Sequence, residues 1–232
     1  MRIIKAVFTK QAKDMIKNPA ILIQFIIFPV VAFLMTIFVA RSNDDIPNNM
    51  FVTMMASIFA GMGLITSMTG IIAEDIERKS LRFLILAGVK PHQYLLGVGG
   101  FIMFAGSVTS VIFALVGDFT GTEIAKFLAV MILGVAASVI LGATIAMLSK
   151  NTQAAGGLAM PVAVIIGFTP MIANFNETVE KFAVILYTQQ INTIVNDFTV
   201  SPFKPLLIIA LNIAVLSVLF IIAYKKKGLK ND

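Results

Sequence analysis

The stretch that decides the fold is EDIERKSLRFLILAGVKPHQYLLG, residues 74–97. It is the one dense charged cluster between two long apolar runs in the first half of the chain. Its charged residues come first, and Gly88 and Pro91 stand near its end. This order predicts a short helix with a firm stop, held at the surface of a membrane and available to a partner.

The helix is predicted to begin at Asp75, because an aspartate is a good N-cap. Glu77 then falls in the first turn, where the helix dipole favours a carboxylate. The apolar side chains recur at helical spacing on one face, namely Leu81, Leu84 and Ile85. Gly88 suits the position after the last turn, and Pro91 prevents the helix from continuing. The alternative is a surface helix that only anchors the turn between the two spans, because such a helix would show the same spacing of apolar residues.

The composition indicates a membrane protein. Of the 232 residues, 58% are apolar and only 13% are charged, and the mean hydropathy is +0.94. A soluble domain carries roughly a quarter charged residues. The chain has no cysteine, which excludes disulfides, thiol catalysis and cysteine-based zinc sites.

Six apolar spans follow one another along the chain. Their limits are 20–40, 50–73, 95–117, 126–149, 154–173 and 205–224. Each has about twenty residues or more, enough to cross a hydrocarbon core of roughly 30 Å as a helix. We therefore predict an all-α polytopic membrane protein with six transmembrane helices in a single domain. The fifth span contains Pro161, Pro170 and the pair Gly156-Gly157, and it is predicted to be broken or kinked.

Two further segments flank these spans. Residues 1–19 alternate apolar and basic side chains at helical spacing, which predicts an amphipathic helix in the membrane interface with its cations toward lipid headgroups. Pro19 ends this helix, because the residue before a proline leaves the α region. Residues 174–204 are too apolar for a free loop, and they predict one or two short helices packed at the outer face.

The distribution of Lys and Arg predicts the orientation. Fourteen of the 18 cations lie in residues 1–19, the 74–92 segment, the loop at 150–153 and the C-terminal tail. The positive-inside rule places these parts, including both termini, in the cytoplasm. The same rule accounts for the net charge of +6 through membrane topology and lipid contact, so nucleic acid is not expected as a partner.

Motifs for catalysis are absent from the sequence. The chain contains no G-x-x-x-x-G-K-[ST] loop for ATP, no G-x-S-x-G and no H-E-x-x-H. The sole histidine, His92, follows Pro91 and is interpreted as an interface residue. The span cores carry no ionisable residue, whereas ion-coupled carriers usually keep one there. Energy is therefore expected to come from a cytoplasmic partner that hydrolyses nucleotide, and the chain itself is not expected to be an enzyme.

The segment after the second span resembles that of the type-2 ABC export permeases. The residues that carry the resemblance are Glu74, Glu77, Arg78, Leu81, Leu84, Gly88, Pro91 and Leu96-Gly97. The six-span topology, the N-terminal helix and the apolar segment before the last span are similar to that family as well. The resemblance implies that residues 74–92 form a coupling helix that docks in a groove of a separate ABC ATPase subunit.

The resemblance also implies a working unit of two permease chains, identical or not, and two ATPase chains, with ATP and Mg bound in the ATPase and no cofactor in this chain. The ATPase contact then falls on Asp75, Glu77, Arg78, Lys79, Ser80, Leu81, Arg82 and Phe83.

A second candidate surface is a stripe of small or weakly polar residues in the second span. Its members are Thr53, Ser57, Ala60, Leu64 and Ser67, at spacings of four and three. Such a stripe usually marks close helix packing. Lining of a substrate path is the alternative, and the two interpretations are compatible at a dimer interface.

The function that these features favour is a permease subunit of an ATP-driven exporter in the cytoplasmic membrane. With 19 Phe, 13 Met and no charge in the span cores, the path is expected to suit a hydrophobic or amphipathic substrate such as an antimicrobial peptide, a lipid-like compound or a drug. The alternative is a non-transporting assembly or sensor subunit that presents residues 74–92 to a soluble partner. An intramembrane enzyme and a secondary carrier are less favoured.

Overall fold

The computed structural model describes residues 2–43 and 45–229, and every regular element within these ranges is helical. The helices are α1 (Arg2–Ile16), α2 (Pro19–Met35), α3 (Met50–Ile58), α4 (Leu64–Glu77), α5 (Ser80–Leu86), α6 (Pro91–Val116), α7 (Thr122–Leu148), α8 (Thr152–Ala173), α9 (Glu177–Ala183), α10 (Tyr187–Asn196) and α11 (Phe203–Leu229). Met1 of the predicted N-terminal helix and Lys230 of the predicted basic tail lie outside the described residues.

Six candidate membrane spans are present, as predicted. They are Ile21–Ala40, Met50–Glu77, Pro91–Val116, Thr122–Leu148, Thr152–Ala173 and Phe203–Lys227. The predicted limits agree with these to within four residues at every end. The all-helical, six-span fold class is therefore confirmed.

Two spans contain π-helical turns that the sequence did not predict. Thr36–Ala40 continues α2 to the end of the first span, and Phe59–Gly63 joins α3 to α4 in the middle of the second. The predicted break in the fifth span is wrong, because α8 runs without interruption from Thr152 to Ala173. Prolines are tolerated inside such a span where neighbouring helices support it, and α8 packs along α4 and the π turn before it.

The second span is at the centre of the bundle and touches its neighbours backbone to backbone. A Cβ on Gly61 would lie 2.4 Å from the Gly167 Cα of α8, and a Cβ on Gly142 of α7 would lie 2.7 Å from the Ile65 carbonyl oxygen. Small residues at these crossings let the helices approach closely, and this contact is what holds helices together in a bilayer.

Residues 174–204 contain two short helices, α9 and α10, whose place at the outer membrane face stays a prediction. α10, however, is inserted among α3, α7, α8 and α11 rather than lying on the surface. The Tyr187 hydroxyl lies 2.9 Å from Ser138 Oγ of α7. Burial raises the pKa of Tyr187, so its phenol stays protonated and serves as a hydrogen-bonding group.

The N-terminal helix packs across the start of α6. Val7 fits against Gly97, where a Cβ would approach its Cγ1 to 2.6 Å, and Phe8 fits against Gly100. Val7, Gln11 and Met15 are buried along one face of α1, whereas Lys5 and Lys13 are exposed. α1 therefore has one buried face and one exposed, basic face. Its location in a membrane interface stays a prediction. We call the end of the bundle that carries α1, α5 and the last turn of α11 the charged end.

Candidate coupling site at the charged end

Residues 74–97 do not begin with a single separate helix. They contain the last turn of α4, a turn at Arg78 and Lys79, the short helix α5 and the start of α6. The second span continues through Glu77, and its backbone ladder extends to the hydrogen bond from Arg78 N to Glu74 O. Lys79 then adopts a left-handed conformation with φ of 60°, and α5 begins at Ser80. The predicted N-cap at Asp75 is therefore wrong, because Asp75 lies inside the last turn of α4. A left-handed lysine has no sequence signature comparable to glycine or asparagine.

The predicted end of the segment is confirmed. Gly88 has a φ of 79°, in the region that glycine occupies without steric cost, and Val89 N donates back to Leu84 O. Pro91 begins α6, where its missing N–H has no helical partner to lose. The predicted apolar face of α5 is also confirmed, since Leu81 is buried and Leu84 and Ile85 are partly buried against the core.

Asp75 connects four helices through its carboxylate. Lys10 Nζ of α1 and Ser80 Oγ of α5 donate to Oδ1 at 2.9 and 2.7 Å. The Tyr94 hydroxyl of α6 donates to Oδ2 at 3.0 Å. The residue is only 7% exposed, so these three donors replace the water that the carboxylate loses. We call this set of four residues the Asp75 node.

The node changes the interpretation of two residues. Asp75 was expected to contact an ATPase, and the structure buries it within the chain instead. Lys10 was expected to face lipid, and it ion-pairs with Asp75 at 2.9 Å and with Asp14 at 3.9 Å. A pair that is separated by 65 residues in the chain leaves no local pattern in the sequence.

A second connection joins the turn after α5 to the last span. The Tyr224 hydroxyl of α11 donates to the Val89 carbonyl oxygen at 3.0 Å. The rings of Tyr224 and Tyr94 are in contact, with centroids 5.9 Å apart. Aromatic pairs at this distance contribute beyond their buried area. The ring contact therefore links this second connection to the Asp75 node.

Glu77 connects the segment to the fifth span. Its carboxylate accepts hydrogen bonds from the Thr152 backbone N–H at 2.9 Å and from the Thr152 hydroxyl, at the first residue of α8. A carboxylate at a helix N-terminus is favoured by the helix dipole. The charged segment thereby contacts α1, α6, α8 and α11.

The outward side of the segment is both cationic and apolar. Arg78, Lys79 and Arg82 are exposed, and Arg78 pairs with Glu74 at 2.6 Å. Phe83 is 71% exposed and Leu86 is 75% exposed. Of the eight predicted contact residues, Glu77, Arg78, Lys79, Arg82 and Phe83 are thus on the surface, Ser80 is partly buried, and Asp75 and Leu81 are buried.

The predicted stripe in the second span is entirely internal to the chain. All five members, Thr53, Ser57, Ala60, Leu64 and Ser67, are at most 3% exposed. Ser67 donates to Gln24 of the first span, and the Ala60 carbonyl oxygen accepts from Ser138 of α7. The stripe therefore packs against helices of its own chain. A role at a dimer interface or along a path would require these helices to separate, and it stays a prediction.

The described residues contain no cluster of three or more His, Asp or Glu side chains placed to hold a metal ion. His92 is exposed beside Pro91 at the start of α6.

A bundle of six apolar helices, each long enough to cross a membrane, is typical of a multi-pass membrane protein. The family model of the ABC-2 type transporter matches residues 2–194. The chain therefore belongs to the ABC-2 type transporter family, as the permease of an ABC transporter and a multi-pass membrane protein. This family is a membrane transport domain without its own nucleotide-binding motif, and it implies an ABC ATPase partner in general. A search of curated proteins returned no match.

Proposed function

We propose that this chain is the permease subunit of an ATP-driven exporter and that a separate ATPase subunit docks on the exposed side of α5. The observation that carries the proposal is the two-sided character of that helix. Phe83 and Leu86 point outward among cations, while Leu81 is buried at 2% exposure. Exposed aromatic and arginine side chains are the residue types most often found at energetically important contacts.

The inward side of α5 supplies a route by which movement reaches the spans. Ser80 at its start bonds to Asp75, which is joined to α1 through Lys10 and to α6 through Tyr94. The turn after α5 is joined to α11 through Val89 and Tyr224. A displacement of α5 would therefore move α1, α6 and α11 together. Such coupled shifts of packed helices are a common form of conformational change.

This division refines the predicted contact set. In the proposal, Arg78, Lys79, Arg82 and Phe83 contact the ATPase, together with Leu86, which the sequence did not single out. Asp75, Ser80 and Leu81 instead fix α5 to the bundle, and Glu77 holds the segment against α8. ATP and Mg would be bound by the partner, and a second permease chain would complete the translocation unit.

The substrate in this proposal is hydrophobic or amphipathic, such as an antimicrobial peptide, a lipid-like compound or a drug. Apart from Asp75, which lies in the last turn of α4 at the charged end, the polar side chains buried along the second span are Thr53, Ser57, Ser67 and Thr69, all uncharged. Transport of a small ion would favour an ionisable group at such a depth.

The proposal is tested by charge reversal on the exposed side of α5. Arg78→Glu combined with Arg82→Glu is expected to lower co-purification of the ATPase by about tenfold or more, since two favourable charges become repulsive. Lys150→Glu is the matched control, because Lys150 is exposed at the same end but outside α5. Unchanged association and unchanged ATP-dependent export in the double variant would remove the proposed role of α5. Intact association without any ATP-dependent export from the wild-type complex would favour the assembly or sensor alternative.

A further inference from the structure

A cavity of about 470 Å³ opens at the charged end, between α1 and the second span. Its apolar lining includes Met15, Ile21 and Ile71, which we call the floor. Its polar lining includes Gln11, Asp14 and Lys17, which we call the rim. A volume of this size is typical of small-molecule sites, and the combination of floor and rim suits an amphipathic ligand.

Gln11 is the observation that points to a ligand. The residue lines the cavity and is only 5% exposed, yet its amide makes no hydrogen bond within the described residues. The side chain therefore has hydrogen-bonding capacity that the chain does not use and that is available in the cavity. An amide can both donate and accept, so it can serve a ligand that carries both kinds of group.

The rim offers one cation and one carboxylate that the chain does not fully use. Lys17 has no ion pair within the described residues, and the Asp14 carboxylate approaches Lys10 only to 3.9 Å. The other charges at the rim are paired, Lys10 with Asp75 at 2.9 Å and Arg78 with Glu74 at 2.6 Å. The site therefore has places for one negative and one positive group on the same ligand.

The location favours a membrane lipid over a protein segment. The cavity is bounded by Pro19 and Ile21 at the start of the first span and by Ile71 and Glu74 near the end of the second. From Pro19, which lines the cavity, Ile23 and Ile26 follow along α2 at spacings of four and three, and both are exposed. An apolar surface thus continues from the cavity along this face of the span, where an acyl chain would lie.

We propose that this cavity binds the headgroup of a phosphoethanolamine lipid. Lys17 takes the phosphate, Asp14 takes the ammonium, and Gln11 bridges the two. A primary ammonium has three N–H donors for a carboxylate and an amide oxygen, whereas a choline headgroup has none and a glycerol headgroup lacks the cation. The chemistry of the rim therefore selects phosphoethanolamine over both of these headgroups.

The test uses the full chain, purified, stripped of lipid and then mixed with palmitoyl-oleoyl phospholipids of each headgroup, with bound lipid counted by native mass spectrometry. The phosphoethanolamine lipid is expected to bind about tenfold more tightly than the phosphocholine or phosphoglycerol lipid, the equivalent of one charge-assisted hydrogen bond. Asp14→Asn and Gln11→Leu are each expected to abolish that preference, whereas Lys17→Gln is expected to lower the affinity for all three lipids, because each of them carries the phosphate.

Lys13→Gln is the matched control, because Lys13 is an exposed cation of α1 that does not line the cavity. Equal losses in Lys13→Gln and Lys17→Gln, or tighter binding of the phosphoglycerol lipid, would overturn the proposal in favour of nonspecific attraction to cations. Soluble phosphoethanolamine that binds as tightly as the lipid would also contradict it, because the apolar floor would then contribute nothing. A further outcome would contradict the proposal. If Lys17→Cys crosslinks to the ATPase subunit in a complex that retains no lipid, the cavity binds a segment of that protein instead.

Discussion

Tyr94 donates a hydrogen bond of 3.0 Å to the carboxylate of Asp75, and it thereby joins the start of the third span to the end of the second. Both residues are buried, and the same carboxylate accepts from Lys10 and Ser80. This contact is part of the physical connection between α5 and the membrane helices.

Asp75→Asn should weaken both the fold and the coupling. The amide keeps the shape of the carboxylate but removes the charge that satisfies Lys10. Because Lys10 is half exposed and can recover water, we expect a loss of about 1–3 kcal/mol in the free energy of unfolding. The measurement is thermal unfolding in detergent, together with the ATPase activity of the reconstituted complex. Asp45→Asn, an exposed carboxylate at the opposite end, should change neither. An unaltered melting temperature in Asp75→Asn would contradict the importance of the node.

Tyr224→Phe should disconnect the last span from the turn after α5. The substitution leaves the ring contact with Tyr94 in place and removes only the hydrogen bond to the Val89 carbonyl oxygen. The expected cost is about 1 kcal/mol of stability, accompanied by lower transport per ATP hydrolysed. Transport and hydrolysis measured in the same proteoliposomes give that ratio. A ratio equal to that of the wild type would exclude Tyr224 from the route of coupling.

Gly61→Ala should be strongly destabilising. Its new Cβ would lie 2.4 Å from the Gly167 Cα and 2.6 Å from the Gly167 N, so two backbones would have to separate. Overpacking of this kind costs about 1–3 kcal/mol or more. Gly156→Ala is the matched control, because its Cβ would meet nothing within 4 Å. That variant should be neutral or slightly stabilising, since alanine favours a helix. Equal melting temperatures for the two variants would contradict the observed crossing.

The predicted orientation can be read with single cysteines, because the natural chain has none. Lys150→Cys and Lys79→Cys should react with a membrane-impermeant maleimide only after the cells are opened. Asn43→Cys, in the loop after the first span, should react in intact cells. Labelling in the opposite order would reverse the topology derived from the positive charges.

Features governed by local composition were predictable from the sequence. The six spans followed from runs of apolar residues, and the end of α5 followed from Gly88 and Pro91. These features depend on hydropathy and on backbone preferences that act within a few residues. The same reasoning predicted the buried side of α5.

Features governed by long-range packing were not predictable. Lys10 carries no mark in the sequence that distinguishes it from the lipid-facing cations of α1, and its partner is 65 residues away. The π turn at Phe59–Gly63 lies where the second span packs against α7 and α8, and the left-handed Lys79 has no residue type that marks it in the sequence. α8 is continuous despite two prolines. Each of these errors came from treating a helix without its neighbours.

The most direct test of the central claim is site-specific crosslinking from α5 to the ATPase subunit in the assembled complex. Phe83→Cys and Leu81→Cys are two residues apart on the same helix, one 71% exposed and the other 2% exposed. With a short bifunctional reagent, Phe83→Cys is predicted to crosslink to the ATPase and Leu81→Cys is not, with an intact complex in both cases. Absence of a crosslink at Phe83 in an intact complex, or equal crosslinking at both positions, would contradict docking on the exposed side of α5.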